Sequence, residues 1–419
     1  MARRKIDRDF MQAGEILYNY FKDKYGDGNY GIPEILSEMM NLFMLQERNS
    51  RLKFKDIDDV GNGFFKRSVN SSYGKLSLDI PRTRNNLYRP SILPEKYKRM
   101  DETYINMIMN LLLSGNSKSM IKNILSMNNM SYSEEIIEDI SNALFEKLES
   151  FKKQELPSSI AFLYIDGKEV KLKDVSNGNK VRRATLYTVL GIDFKGQKSI
   201  LGYYWFYGKE TKSRWMHIFQ DLIVRGLKRV LLIISDNLTG ITSAIEKAFP
   251  YTLHQICLLH FLRNTKKYSP NEKHGYIIKL FKDLKNAYDE EEGRVIIDKI
   301  LSILSNHNSN NKELIDSFES VKDNYLTFLK FPERVRKHIY TTNPVESVHS
   351  MYERSLSRVG GYFKSERNMN LNIFIIIDKL NEKWKNKPVP MVKSVSYELI
   401  QMANLIFEEG GEEKDTQNS

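Results

Sequence analysis

The stretch Arg-Val-Leu-Leu-Ile-Ile-Ser, residues 229 to 235, tolerates few environments. Side chains of a strand point alternately to its two faces, so an uninterrupted apolar run is satisfied only where both faces are buried. The neighbouring sequence supplies a sheet for it. Residues 160–166 (IAFLYID), 182–193 (RRATLYTVLGID) and 197–206 (QKSILGYYWF) are rich in β-branched and aromatic residues and are separated by NGN and KGQ, which predicts a three-stranded meander. An amphipathic helix follows, with Trp215, Phe219, Leu222 and Ile223 on one face. After residues 229–235 come a helix over GITSAIEKAF, stopped by Pro250, and a short strand over TLHQI. The predicted order is β-β-β-α-β-α-β, an α/β fold.

The chain has 419 residues, more than one ordinary core accommodates, so several domains are expected. Residues 10–50 have helical spacing, with Ile35, Met39, Leu42 and Phe43 on one face. From 61 to 99 the composition turns to Gly, Pro and base: Lys66, Arg67, Lys75, Arg82, Arg84, Arg89, Lys96, Lys98 and Arg99 stand against Asp79 and Glu95. This reads as a phosphate-contacting arm or as a solvated linker. Residues 102–150 read as helices broken at SGNSKS and MNNMSYS, where a Ser or Asn can cap the next helix. A helix-turn-helix fits there, as does any helical packing module. Residues 261–338 are helical without strands, and the acidic segment beyond about 405 is predicted to be disordered. The expected domains are 1–60, 61–99, 100–155, 156–260, 261–338, 339–390 and 391–419.

Hydrophobic residues at 41% and charged ones at 28% describe a folded soluble protein. An excess of 64 Lys and Arg over 53 Asp and Glu gives a net charge of +11, which attracts polyanions and makes nucleic acid the first partner to consider. Anionic membrane is the rival, yet no apolar stretch approaches the roughly 20 residues that span a bilayer. The first residues lack the apolar run of a signal peptide, so a cytosolic protein is expected. The single cysteine, Cys257, excludes an intrachain disulfide and a zinc knuckle of cysteine pairs, and points to a reducing compartment.

Asp166 ends the first predicted strand, on the face of Phe162 and Tyr164, and Asp236 ends the apolar one. Open α/β sheets place ligands at the carboxyl ends of strands, so if these two strands are neighbours the carboxylates converge. Equally, Asp166 can start the turn DGK and Asp236 can cap the following helix. Glu346 has two readings as well. With Asn343 as N-cap and Pro344 at N1, it falls at N3, the position of a capping box. Bringing all three acids together requires a cation, because two like charges about 4 Å apart repel by about 4 kcal/mol at an effective dielectric of about 20. Oxygen ligands favour Mg²⁺ or Mn²⁺, and paired ions suit in-line phosphoryl displacement.

Several blocks then resemble a known family in order: YIDG at 164, RRATLYTVLGID at 182, SDNLTGITSAIEKAFP at 235, QICLLHFLRN at 255 and YTTNPVES at 340, preceded by IPRTRNNLYRPSILP at 80. They are similar to the signature blocks of the Mutator-type transposases of bacterial insertion sequences. The resemblance implies a ribonuclease H-like core, β-β-β-α-β-α-β-α, with an Asp-Asp-Glu triad, an all-helical insertion and N-terminal helical DNA-binding domains. It implies Asp166, Asp236 and Glu346 as catalytic and metal-binding acids, with two Mg²⁺ or Mn²⁺ ions. Cys257 and His260 match the family's C-x2-H signature near the site, although a lone cysteine also serves as a small apolar filler. Arg263 and Asn264 either contact DNA or cap the first insertion helix. Tyr325 stands where the family usually has tryptophan, and is either a base-stacking residue or a core aromatic. Lys66, Arg67, Arg82, Arg84 and Arg89, and further on Arg354, Arg358, Lys364 and Arg367, are expected to meet DNA phosphates. The implied partners are terminal inverted repeats and target DNA, with the two ends paired in a dimer or larger assembly. A ribonuclease H-like nuclease or resolvase, and a domesticated DNA-binding regulator, are the rival readings.

Overall fold

The chain folds as two units, Met1–Phe145 and Glu146–Ser419. The computed structural model describes residues 8–26, 31–71, 73–93, 102–113, 116, 118–127, 130, 134–174, 178, 180–208, 211–269, 271–305, 312–358 and 360–417.

The first unit opens with helices α1 (Arg8–Tyr25) and α2 (Ile32–Lys53), as the helical spacing predicts. Glu38 of α2 ties them together by accepting hydrogen bonds from Tyr20, Tyr25 and, at 2.6 Å, the Lys24 ammonium. The basic stretch after residue 60 is not an irregular arm. It forms an antiparallel hairpin, β1 (Gly61–Ser71) with β2 (Gly74–Thr83). Along β2 Leu76, Leu78 and Ile80 are buried while Lys75, Ser77 and Asp79 are exposed, the alternation of a half-buried strand. The buried row packs with Met44, Val69 and Leu93 into a small core. Helix α2 also covers the edge of β2: the Ser37 hydroxyl accepts from the Ser77 amide and the Asn41 side chain from the Asp79 amide, which removes an open pairing edge.

This placement corrects the expected face of α2. Met44 is buried, whereas Met39, Leu42 and Phe43 are 47%, 43% and 60% exposed. The helix carries apolar residues on two sides, and the position of β2 decides which side is covered. Lys66, Arg82, Arg84 and Arg89 are exposed on the hairpin or just after it, and Arg67 is half-buried. The Arg82 guanidinium lies 5.7 Å from the Phe65 ring centre. Lys96, Lys98 and Arg99 lie outside the described residues. Helices α3 (Glu102–Leu113), α4 (Lys118–Met127) and α5 (Glu134–Lys153) follow, as predicted for 102–150. The Ser and Asn caps expected in the breaks fall largely outside the described residues.

The second unit is built on β3 (Ser159–Asp174), β4 (Lys180–Ile192), β5 (Lys198–Tyr207), β6 (Arg229–Ser235) and β7 (Leu253–Ile256), in the sheet order β5-β4-β3-β6-β7. The meander is antiparallel, and β6 is parallel to both β3 and β7. Every residue of β6 after Arg229 is buried, as its unbroken apolar run requires. Helices α6 (Lys212–Val224) and α7 (Ile241–Ala248) pack on the sheet through Trp215, Ile218, Phe219, Leu222 and Ile245, against Leu163, Ile165 and Ile233. Ile218 takes the place expected for Ile223, which is 40% exposed.

Helices α8 (Leu258–Tyr268), α9 (Asn271–Lys285), α10 (Glu290–Ser305) and α11 (Lys312–Glu319) and two short 3₁₀ turns, Lys322–Tyr325 and Thr327–Lys330, fill the stretch after β7 without a strand among the described residues. Gln255 of β7 fastens this layer, donating to the Tyr325 carbonyl and accepting from the Phe328 amide. Helix α12 (Glu333–Ile339) leads to α13 (Asn343–Arg358), α14 (Glu366–Trp384), α15 (Pro390–Ser394) and α16 (Ser396–Gln417). On the outer edge of the sheet Asn381 of α14 bonds both the amide and the carbonyl of Ile200, the same edge protection that α2 provides in the first unit. The acidic C-terminal segment, expected to be disordered, continues α16 as far as Gln417; extending a helix already nucleated needs only one more hydrogen bond per residue.

Replacing a residue of β6 separates the two kinds of apolar position. Leu232→Ala, at a fully buried site, is expected to lower stability by about 2–5 kcal/mol. Leu42→Ala, on the exposed side of α2, is expected to change it by less than about 0.5 kcal/mol. Chemical denaturation of both variants checks the pair.

Candidate active site

Strand β3 does not end at Asp166. It runs on to Asp174, and what ends there is its parallel neighbour: Ile165 pairs with Ser235, the last residue of β6. Beyond this point β3 pairs with β4 alone among the strands. Asp166 and Asp236 therefore occupy equivalent positions one residue past the last pair, on strands that in any sheet lie about 4.8 Å apart. Alternation places Phe162, Tyr164 and Asp166 on one face, and the residues before and within α13 cover that face. Phe162 meets Phe331 at 5.9 Å, the Tyr164 hydroxyl donates to the His338 carbonyl, and Asp166 meets His349.

Asp166 is buried and held from two sides. One carboxylate oxygen accepts from the Gly167 amide at 2.8 Å, and the other lies 3.3 Å from Nδ1 of His349. Nε2 of His349 lies 3.2 Å from the hydroxyl of Thr188, which is the residue opposite Asp166 on β4. The sequence reading missed His349. Its signal was its place one helical turn after Glu346, on the same side of α13.

Asp236 follows the buried end of β6, and its side chain does not cap α7. Its Oδ1 lies against Nδ1 of His260 on α8, and both atoms are buried with no other hydrogen-bond partner among the described residues. Burial raises the Asp236 carboxyl above its ordinary value; His260 opposes the shift, and the negative charges of Asp166 and Glu346 add to it. His260 shows the reverse balance. Burial disfavours its charge, but Asp236 and Cys257 outweigh this and raise the imidazole to about 10.

Glu346 sits one turn inside α13 and makes no capping box. The Thr342 carbonyl accepts from the amides of Val345 and Glu346, which makes Thr342 the N-cap and moves Glu346 past the N3 position. Its carboxylate turns to α8 instead: Oε1 accepts from Nη1 of Arg263 at 2.7 Å and lies 3.7 Å from Nε2 of His260. The imidazole of His260 thus has Nδ1 toward Asp236, while Nε2 lies 3.0 Å from Nη1 of Arg263 and farther from Glu346, so Arg263 and His260 together link the two acids. The three acids expected to converge are not among the groups of ligand atoms within 4.8 Å of one another in the described residues; what the fold provides is a set of links between them. Asp166 and Asp236 are linked through the sheet, and Asp236 and Glu346 through His260 and Arg263.

Cys257 is fully buried at the start of α8, where the Thr342 hydroxyl donates to its sulfur at 3.5 Å. Among the described residues one group of three potential metal ligands has donor atoms within 4.8 Å of one another, and it is Asp236, Cys257 and His260. Asn264 lies inside α8 rather than at a cap. Tyr325 is 1% exposed and stacks on Phe261 at 4.6 Å, so it is a core aromatic and does not present a ring to a base. Burial raises its hydroxyl well above the ordinary tyrosine value. Arg354 is exposed on α13, and Lys364 and Arg367 are exposed after it. Arg358 ends α13, and its side chain is outside the described residues. No described helix is long and apolar enough to cross a membrane.

The model of the family described as Transposase, Mutator family, matches residues 23–387. The transposase for insertion sequence element IS905 of Lactococcus lactis subsp. lactis (strain IL1403) is 28% identical over 331 residues, which are 77% of this chain and 82% of the relative. The transposase for insertion sequence element IS1201 of Lactobacillus helveticus is 26% identical over 315 residues, 75% of this chain and 83% of the relative. The transposase for insertion sequence element IS256 in transposon Tn4001 of Staphylococcus aureus is 24% identical over 367 residues, 84% of this chain and 90% of the relative. A solved Drosophila P element transposase strand transfer complex covers 74% of this chain at 11% identity and a TM-score of 0.28, a likeness too low to bear on the fold. The family match takes in the hairpin, the sheet and all three acids, and the chain belongs to the Mutator family of transposases.

Proposed function

We propose that this transposase cuts DNA at the ends of an insertion sequence and joins the freed 3′-hydroxyl to target DNA, using Asp166, Asp236 and Glu346 on a ribonuclease H-like core. The observation that carries the reading is the register of β3 and β6, which sets two carboxylates side by side, together with the contact through His260 that brings in the third. Divalent metal fits this place. The buried Asp236 oxygen has the His260 ring and no further hydrogen-bond partner among the described residues, and a carboxylate set suits a hard cation such as Mg²⁺ or Mn²⁺. Two such ions, held by the three acids, would supply electrostatic stabilisation of the attacking and leaving oxygens of a phosphodiester.

The chain's own groups prepare the site. Gly167 and His349 fix the Asp166 carboxylate, so its direction does not depend on what binds there. His260 keeps its proton at neutral pH and, with Arg263, balances Asp236 and Glu346 while no other cation is present. Both are also donors of the kind that bind phosphate oxygens, which makes them contacts for the DNA strand once the acids are otherwise engaged. Cys257 and Thr342 hold the start of α8 beside the start of α13, and through them His260 stays near Glu346. Exposed Arg354, Lys364 and Arg367 add phosphate-binding charge to the second unit, and the exposed basic residues of the hairpin offer the first unit a phosphate-binding surface of its own. Paired ends imply at least two copies acting together.

The test is nicking, in Mg²⁺, of a duplex taken from the flank of the chain's own gene. Glu346→Gln is expected to lose more than about 100-fold in rate, and retained activity would leave Glu346 a structural role only. Joining of a supplied pre-cut 3′ end distinguishes a transposase from a nuclease. His349→Ala is expected to lose about 10–100-fold, with His349→Gln intermediate because an amide can still reach Asp166.

The metal-free protein carries a pH signature. His260 and Asp236 are both raised, so the folded state binds more protons than the unfolded one. With a chelator present, the Asp236 contribution is full only below about 3.8 and is lost as pH rises above it, while the His260 contribution is full below about 6.5 and is lost as pH rises toward about 10. Thermal unfolding across that range is expected to show the fall, and His260→Asn to flatten it.

A further inference from the structure

The last turn of α9 carries Lys282 and Lys285, and α12 carries Arg336 and Lys337. With Glu333 and Tyr340 they line a cleft of about 880 Å³, within the roughly 300–1,000 Å³ of ordinary ligand sites. Four cations thus face one carboxylate. Arg336 is committed to the wall: its guanidinium donates to the carbonyls of Phe331, Ala287, Tyr288 and Leu329. Among the described residues the three lysines make no ion pair or hydrogen bond. Ion pairs on the neighbouring elements use Arg294, Lys322 and Lys330 instead. Burial, and to a lesser degree the charge of Lys282, depresses the Lys285 ammonium, whose nitrogen lies 5.1 Å from the Tyr340 ring centre. Cations that outnumber the acids beside them, one of them partly withdrawn from water, are stabilised by an added anion.

The anion is part of a polymer. The cleft is walled by the C-terminal end of α9, whose dipole is negative, and by the seven-residue helix α12, and its positive charge comes from side chains. Flexible lysines meet a backbone as point charges. The cleft is also joined to the acids, because the Tyr340 carbonyl accepts from the Leu258 amide at the start of α8, and α13 begins three residues after Tyr340. We propose that Lys282, Lys285 and Lys337 seat the phosphodiester backbone of the DNA strand that enters the site. The inference rests on the transposase reading, and its test can fail separately.

Binding of a fluorescent duplex from the gene's flank is measured by anisotropy over a range of salt concentration, for the full chain and for K282A/K285A/K337A. The triple variant is expected to bind more weakly, with the slope of log K against log salt less steep by about 2–3, while K282R/K285R/K337R stays within about twofold of the wild type. Lys337→Ala alone, at an exposed position, is expected to reduce the slope by about 1, and decides the matter if the triple variant does not fold. An unchanged slope overturns the proposal. If the wild type nicks in Mg²⁺ and the slope is unchanged, the cleft alone is wrong. If the slope falls but the wild type does not nick, the transposase reading is wrong and the cleft still holds nucleic acid.

Discussion

Parallel pairing of β3 with β6 is the constraint on which the rest of this site depends. It ends at Ile165 and Ser235, and by ending there it leaves two aspartates in adjacent positions at the mouth of the sheet. Neither aspartate can choose another place, because the apolar residues before each are buried in the core and fix the register. Adjacent carboxylates repel, and the fold sets a nitrogen donor or cation against each one: the His349 ring at Asp166, His260 at Asp236, Arg263 at Glu346. The burial that holds the acids in place also raises Asp236. Such a site is costly as it stands and is relieved by positive charge, which is the physical content of calling it a metal site.

Two helices carry the remaining parts, and both begin at one seam. Helix α8 starts at Leu258, whose amide bonds the Tyr340 carbonyl, and α13 starts after Thr342, whose hydroxyl bonds Cys257. Four residues of YTTN therefore do structural work that their polar character conceals: they join the layer after β7 to the sheet. The same seam connects the acids to the basic cleft of α9 and α12. In the proposed function it is the path along which a strand would pass from lysines to acids.

Much of this was legible in the sequence, and the reasons differ by element. The unbroken apolar run of β6 has one physical solution, and its predicted limits are those observed. The meander was legible because its turns carry Gly and Asn. The hairpin of the first unit was also written, as the alternation of Leu76, Leu78 and Ile80 with Lys75, Ser77 and Asp79, but its basic residues drew the reading toward an arm. The buried face of α2 and the exposure of Ile223 were not legible, since they depend on where other elements lie. Tyr325 illustrates the same limit: nothing local separates a ring stacked on Phe261 from one offered to solvent. In the site, the positions of Asp166 and Asp236 followed from the strands, whereas His349 and the partners of Glu346 come from elements about 80 to 180 residues away in sequence.

The most direct measurement is anomalous scattering from crystals of the protein soaked in Mn²⁺. The account predicts manganese between the carboxylates of Asp166 and Asp236, with Glu346 turned toward it and away from Arg263. Manganese bound elsewhere, or held by Asp236, Cys257 and His260 with Asp166 still engaged only by His349 and Gly167, would contradict it.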